Sequence, residues 1–170
     1  PTICATAGST APYSIASNVL LGNVETVFLA AITQLVKPGT PYLYRFAPSV
    51  AELHSVEALY YTLDKLKWNV ACVQLGQSYG MPTGSECGGA MTWRYDVQTG
   101  AEGLLSMLAA HSSGASFLSG IGSTYNAVGM SGETMLIQAA WMQTAAHQGW
   151  GIDTTGGRLG SESIRSAGPG

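Results

Sequence analysis

A short apolar stretch, a polar turn, a long apolar helix and a Pro-Gly stop succeed one another at the start of this chain. The same unit recurs about four times, which confines the chain to few architectures. In the first copy, residues 3–7 read as a strand and Gly8-Ser9-Thr10-Ala11-Pro12 as the turn. Ile15, Val19, Leu20, Val24, Val27, Phe28, Ala31, Ile32 and Leu35 recur at helical spacing, and Pro38-Gly39 stops the pattern. Pro12 suits a first helical position, where its missing N–H is not needed.

The later copies are shorter. Residues 42–46, 83–89 and 116–119 form the other predicted strands, and an irregular loop follows at 47–61. The second helix starts at Thr62, carries Leu63, Leu66, Val70, Val73 and Leu75, and stops at Gly80 and Pro82. The third starts at Asp96 and carries Leu104, Leu105 and Leu108. A glycine-rich loop at 120–132 leads into the fourth through Met135, Leu136 and Ala139. Strands without alternating polarity, separated by helices, predict a parallel sheet covered on both faces. An open doubly wound sheet and a piece of a (β/α)8 barrel both satisfy this, and a whole barrel takes about 250 residues.

The fold class adopted is α/β, of the (β/α)8 TIM-barrel type. Residues 1–150 supply about four βα units, as a half barrel or fragment. Residues 151–170 form a Gly/Ser-rich tail, read as an interrupted continuation. The chain begins at Pro1 without a Met, so its true N-terminus is expected to lie elsewhere.

Only 10% of residues are charged, 46% are hydrophobic and 22 are glycine, so the chain is expected to bury surface against other chains or further parts of itself, and a homo-oligomer is expected. A net charge of −3 with no Lys/Arg run excludes a nucleic-acid partner. The Ile15–Val36 stretch contains Asn18, Asn23, Glu25 and Gln34, so it reads as a buried helix and no membrane contact is expected. Cys4, Cys72 and Cys87 read as buried thiols of a reducing, cytoplasmic compartment. No zinc-ligand spacing occurs, so no protein-bound metal is expected. GxGxxG and GxxxxGK[ST] turns are absent, which leaves nucleotide binding without support.

A set of blocks stands in a distinctive order: Gly8-Ser9-Thr10-Ala11-Pro12, Asn23-Val24-Glu25, Gln34-Leu35-Val36 with Pro38-Gly39 and Pro41, and Gln74-Leu75 with Tyr79-Gly80-Met81-Pro82. Asp96, Gln98, Gly100 and Glu102 follow, then Ser131-Gly132-Glu133-Thr134-Met135-Leu136-Ile137 and a final Gly168-Pro169-Gly170. In these the chain resembles the trimethylamine methyltransferase family, the corrinoid-dependent methylamine and betaine methyltransferases, over roughly the second half of a member. It departs from them at Glu52-Leu53-His54-Ser55 and at Gly89 to Tyr95, both in expected substrate loops. No pyrrolysine is written, which points to the betaine enzymes rather than to trimethylamine itself.

The resemblance implies transfer of a methyl group from a quaternary amine to the cobalt of a cobalamin (corrinoid) carried by a partner protein. Such an enzyme must hold the cation in line and exclude water. A quaternary ammonium donates no hydrogen bond, so aromatic faces and carboxylates hold it. The expected substrate-binding residues are Thr10, Tyr13, Tyr44, Arg45, Phe46, Glu52, His54, Trp93, Tyr95, Asp96, Tyr125 and Glu133, with Tyr60 and Tyr61 as further aromatics; no catalytic residue is named. Other roles stay open: Thr10 as a helix cap, Arg45 as a substrate-carboxylate clamp or an ion pair with Glu52 or Glu57, Asp96 as a cap, and Glu133 as a helix anchor. His111 and His147 read as structural. Lys37, Lys65 and Lys67 are placed on or after helices, away from strand ends, which disfavours Schiff-base chemistry. Two other classes remain: a different barrel enzyme acting on a small polar molecule, and a non-catalytic relative that binds a small amine or serves in assembly.

Overall fold

The computed structural model describes residues 3–169; Pro1, Thr2 and Gly170, the last residue of the Gly168-Pro169-Gly170 block, lie outside the described residues. Helices and short strands alternate as expected of an α/β chain. The order is β1 (Thr6–Ala7), α1 (Ile15–Val36), β2 (Ser49–Ala51), β3 (Ala58–Leu59), α2 (Leu63–Ser78), β4 (Gly84–Glu86) and α3 (Val97–Ser112). Then come β5 (Phe117–Ser119), β6 (Ser123–Thr124), β7 (Gly129–Met130), α4 (Gly132–Gly149), a 3-10 turn (Gly156–Leu159) and α5 (Ser161–Ala167).

β1 runs parallel to β2, with Thr6 opposite Ser49, and β4 parallel to β5, with Gly84 opposite Phe117. Single parallel bridges, Ile3 with Phe46 and Tyr44 with Thr83, join these pieces into one row that follows chain order. β3 adds to β2 antiparallel, and β6 and β7 form a hairpin inside the 120–132 loop. One expectation needs correcting: residues 42–46 contribute bridges only, while the strand itself is β2, inside the expected loop. The tail carries a 3-10 turn and α5, and none of their residues is buried.

The caps follow side-chain chemistry. Ser14, not Thr10, caps α1, its side chain accepting from the Ser17 N–H, so Pro12 lies ahead of the helix and not at its first position. Ser131 caps α4 in the same way through Thr134. Asp96 caps α3, accepting from the Thr99 N–H at 3.0 Å. Asp96→Ala is expected to lower stability by about 1 kcal/mol, read from the midpoint of urea unfolding.

Alternate residues of the row face opposite ways. Tyr44, Phe46 and Thr83 face the helices, and α1 and α2 meet them through glycine. A Cβ on Gly22 would lie 2.8 Å from the Phe46 ring, and one on Gly76 would overlap the Thr83 methyl. Tyr44, Phe46 and Cys72 form one core, with Ile3, Val19, Leu75 and Met81 against it. A second core, Cys87, Met107, Ala110 and Ala145, lies under α3 and α4. Arg45, Gly84 and Glu86 fall on the other face by alternation, with Phe117 and Ser119 opposite the last two.

The first helix is not the buried element its composition predicted. It buries Asn18, Gly22, Thr26 and Ala30, and exposes Leu20, Val24, Phe28 and Leu35. Small residues line the stripe because the helix sits close on the sheet. By length and composition α1 also passes as a membrane span. The thiols divide: Cys72 and Cys87 are buried, and Cys4 is exposed.

Candidate functional site

At the carboxyl ends of the parallel segments, three charged side chains meet. Glu86 ends β4, and its carboxylate pairs with the Arg45 guanidinium and, at 2.6 Å, with the Lys65 ammonium. Tyr60 donates its hydroxyl to the same carboxylate at 2.8 Å, and the Lys65 Nζ lies 3.2 Å from the centre of the Tyr60 ring. Arg45 also donates to the Ser119 Oγ at 3.0 Å, at the end of β5. Asn69, one turn along α2 from Lys65, donates to the Glu86 carbonyl at 3.0 Å. Lys65 is only 3% exposed and Glu86 9%, so the group is desolvated. Burial alone pushes the Glu86 carboxyl up, but the Lys65 and Arg45 charges overrule it and hold the carboxyl below its usual range. For Lys65 burial wins over the attraction of Glu86 and lowers its affinity for a proton. Burial and the neighbouring carboxylate both push the Tyr60 hydroxyl up, and burial pushes Tyr61 up to about 12. Two cations against one carboxylate leave the cluster one positive charge in excess.

A second group lies beside it. The Trp93 and Tyr125 rings stack 4.3 Å apart, with 17° between their planes. Tyr125, Asn126 and Ala127 are consecutive non-glycine residues at positive φ, a conformation costing on the order of 1 kcal/mol each. Their loop is held by Tyr125 and Asn126 N–H bonds to the Thr92 and Ala90 carbonyls. The Asn126 side chain fastens it to the segment before α2, accepting from the Tyr60 N–H and donating to the Ala58 carbonyl. One asparagine thus ties the aromatic pair to the charged cluster.

The remaining expected residues divide. Arg45 lies in the cluster, but its partner is Glu86, not Glu52 or Glu57. Glu52 instead folds its own turn, accepting from the His54 and Ser55 N–H groups at 2.9 and 2.6 Å. These bonds hold its carboxyl low, and His54 is exposed on the same turn. Tyr44 and Phe46 are core residues facing α1 and α2, fully or almost fully buried, so neither presents a face to a ligand. Tyr44 spends its hydroxyl on Asn23 at 2.5 Å. Thr10 accepts the Thr6 N–H at 2.9 Å within the first turn, and exposed Tyr13 lies over Gly8. Tyr95 donates to Ser131, which donates to Glu133 at 2.9 Å, so these three and Asp96 sit at the starts of α3 and α4. Gln98 donates to Glu102 one turn along α3 at 2.7 Å.

Glu86, Lys65, Ser119 and Asn126 were not expected. Lys65 lies on a helix, as its sequence position implies, yet from the first turn of α2 its side chain reaches the end of β4. One signal for Glu86 was present, since it is the sole charged residue between Lys67 and Arg94. Lys65 and Asn126 carried none, because their partners are distant in sequence.

Residues 2–170 match the family described as Trimethylamine methyltransferase (MTTB). A glycine betaine methyltransferase of Desulfitobacterium hafniense (strain Y51) is 28% identical over 96% of this chain and 34% of its own length. A proline betaine:corrinoid methyltransferase of Eubacterium limosum is 23% identical over 62% of this chain and 22% of its own length. The chain therefore spans about a third, or less, of the relatives it matches.

Proposed function

The chain belongs to the trimethylamine methyltransferase family, and from that premise we propose that it is part of an enzyme moving a methyl group from a betaine-type quaternary amine to the cobalt of a corrinoid on a separate protein. The observation that carries the reading is the buried Arg45–Glu86–Lys65 cluster at the strand ends. We place it inside a (β/α)8 barrel, whose chemistry sits at the carboxyl ends of its strands. Support for the barrel is the pairing of the segments in chain order, without the reversal of a doubly wound sheet.

A betaine is a zwitterion, and its two ends need different hosts. The excess positive charge of the cluster suits the carboxylate end, with Arg45 as a forked donor. The stacked Trp93 and Tyr125 rings suit the methylated nitrogen, a contact of about 0.5–2 kcal/mol. That nitrogen departs as a neutral tertiary amine when the C–N bond breaks, so the side chains need move no proton. Reduced cobalt supplies the attacking electron pair. The protein's part is to hold the carbon in line and keep water out.

The test is methyl-cobalt formation, followed by absorbance, with the intact enzyme, its corrinoid protein, reduced cobalt and a panel of quaternary amines. Betaines are expected to react faster than tetramethylammonium. Arg45→Met is expected to lower kcat/KM for betaines about 10–100-fold, the worth of a charged hydrogen bond, and to leave tetramethylammonium nearly unchanged. No methylation from any amine would sink the reading.

A further inference from the structure

Asn126 is a buried joint between the two halves of the candidate site. It is 7% exposed and sits in the middle of the positive-φ run, at φ 53°, a region asparagine enters more readily than most residues. Its amide bonds twice to one segment: the oxygen accepts the Tyr60 N–H and the nitrogen donates to the Ala58 carbonyl. These two partners fix which way the amide faces. Aspartate, of the same shape, would set a carboxylate oxygen against the Ala58 carbonyl.

The bonds run on in both directions. Tyr60 donates its hydroxyl to Glu86, and Glu86 pairs with Arg45 and Lys65. On the other side, the Asn126 and Tyr125 N–H groups bond to the Ala90 and Thr92 carbonyls, in the segment that carries Trp93. Glu102 braces that segment from α3 by accepting the Met91 N–H at 2.9 Å. Backbone bonds thus hold the ring pair together, and the Asn126 amide fastens the pair to the cluster's side of the site.

We propose that Asn126 is a positioning residue that sets the span between the stacked rings and the Arg45–Glu86–Lys65 cluster. Through that span it selects the length of the betaine, counted in methylenes between nitrogen and carboxylate. The assignment rests on the methyl-transfer reading above. A zwitterion held at both ends by a fixed site has one fitting length. A shorter one leaves one end unpaired, and a longer one buckles and carries its methyl carbon out of line. Loosening the joint removes the length selection and leaves each end its own grip.

The experiment measures methyl-cobalt formation by the intact enzyme with its corrinoid protein and reduced cobalt. The substrates are trimethylammonio carboxylates with one to four methylenes, and tetramethylammonium. The unaltered enzyme is expected to favour one length over its neighbours by about 10-fold or more in kcat/KM. Asn126→Asp keeps the acceptor and loses the donor. It is expected to lower kcat/KM for the favoured length about 10–100-fold, mostly in kcat, and to bring the other lengths closer to it. Asn126→Gly loses both bonds but suits the positive φ, and is expected to flatten the profile further. Tetramethylammonium has no second end, so its rate should hold nearly unchanged in both variants, with far-UV circular dichroism unaltered. A merely structural role would lower every substrate alike. No length preference in the unaltered enzyme, an unchanged preference in Asn126→Gly, or a parallel loss that includes tetramethylammonium would each overturn the assignment while methyl transfer itself stands. No methylation from any amine by the unaltered enzyme would instead overturn the methyl-transfer reading, and this assignment with it.

Discussion

Glu86→Leu is expected to destabilise the protein by about 3–5 kcal/mol, the range for removing one partner of a buried ion pair. Arg45 and Lys65 would remain side by side in a nearly dry site, with no anion between them. The loss is a desolvation cost more than a lost attraction, so adding Lys65→Met should recover part of it. Only such non-additivity separates the cluster from ordinary packing. Urea unfolding at neutral pH measures both variants. The pH dependence has a definite sign. Glu86 titrates lower in the folded state than in the unfolded one. Its contribution is therefore complete above the unfolded carboxyl value, about 4.3, and fades as pH falls through the lower folded value. Lys65 acts in the opposite range. Its folded affinity for a proton is reduced. Between its folded and unfolded values the unfolded chain binds more protons, so stability rises with pH there. The Leu variant should lack the acid-side loss that Glu86 supplies.

Gly76→Ala should destabilise by roughly 1–3 kcal/mol, opposite in sign to the gain of about 1 kcal/mol that helix propensity alone assigns. The new Cβ would overlap the Thr83 methyl and lie 2.7 Å from Tyr44 Cδ1. Both neighbours are fully buried, so neither side chain can swing away. α2 would have to lift from the row, opening the core around Cys72. Gly132→Ala provides the contrast: it lies in the first turn of α4, nothing meets its Cβ, and φ is not positive. That variant should hold or raise the unfolding midpoint. Thermal unfolding of the two side by side separates close approach from intrinsic propensity. Equal destabilisation would overturn this account of Gly76.

Legibility differed between kinds of residue. Asp96 was readable as a cap because its partner, the Thr99 N–H, is three residues away. Pro38-Gly39 and Gly80-Pro82 were readable as stops for the same reason: backbone restrictions act locally. The second strand was misplaced because the 42–46 segment is apolar enough to look like the pairing region, yet makes only single bridges, while Ser49–Ala51 carries the parallel ladder. Composition groups Tyr44 and Phe46 with the pocket aromatics because it cannot say which way a strand's odd and even residues point, and both are buried against the helices. For Arg45 the ion-pair reading of the sequence offers Glu52 or Glu57, which are near along the chain, whereas Glu86 is near in space.

What the sequence determined by itself is the alternation of strands and helices, the caps and stops, and the ordered blocks that assign the family. These depend on interactions within a few residues or on the order of residues alone. The tertiary structure decided which face of α1 is buried, that Lys65 reaches the end of β4, and that Asn126 binds the aromatic loop to Tyr60. Each of those joins residues from separate βα units. Their pairing is set by how the row of strands aligns, and no local pattern encodes that alignment.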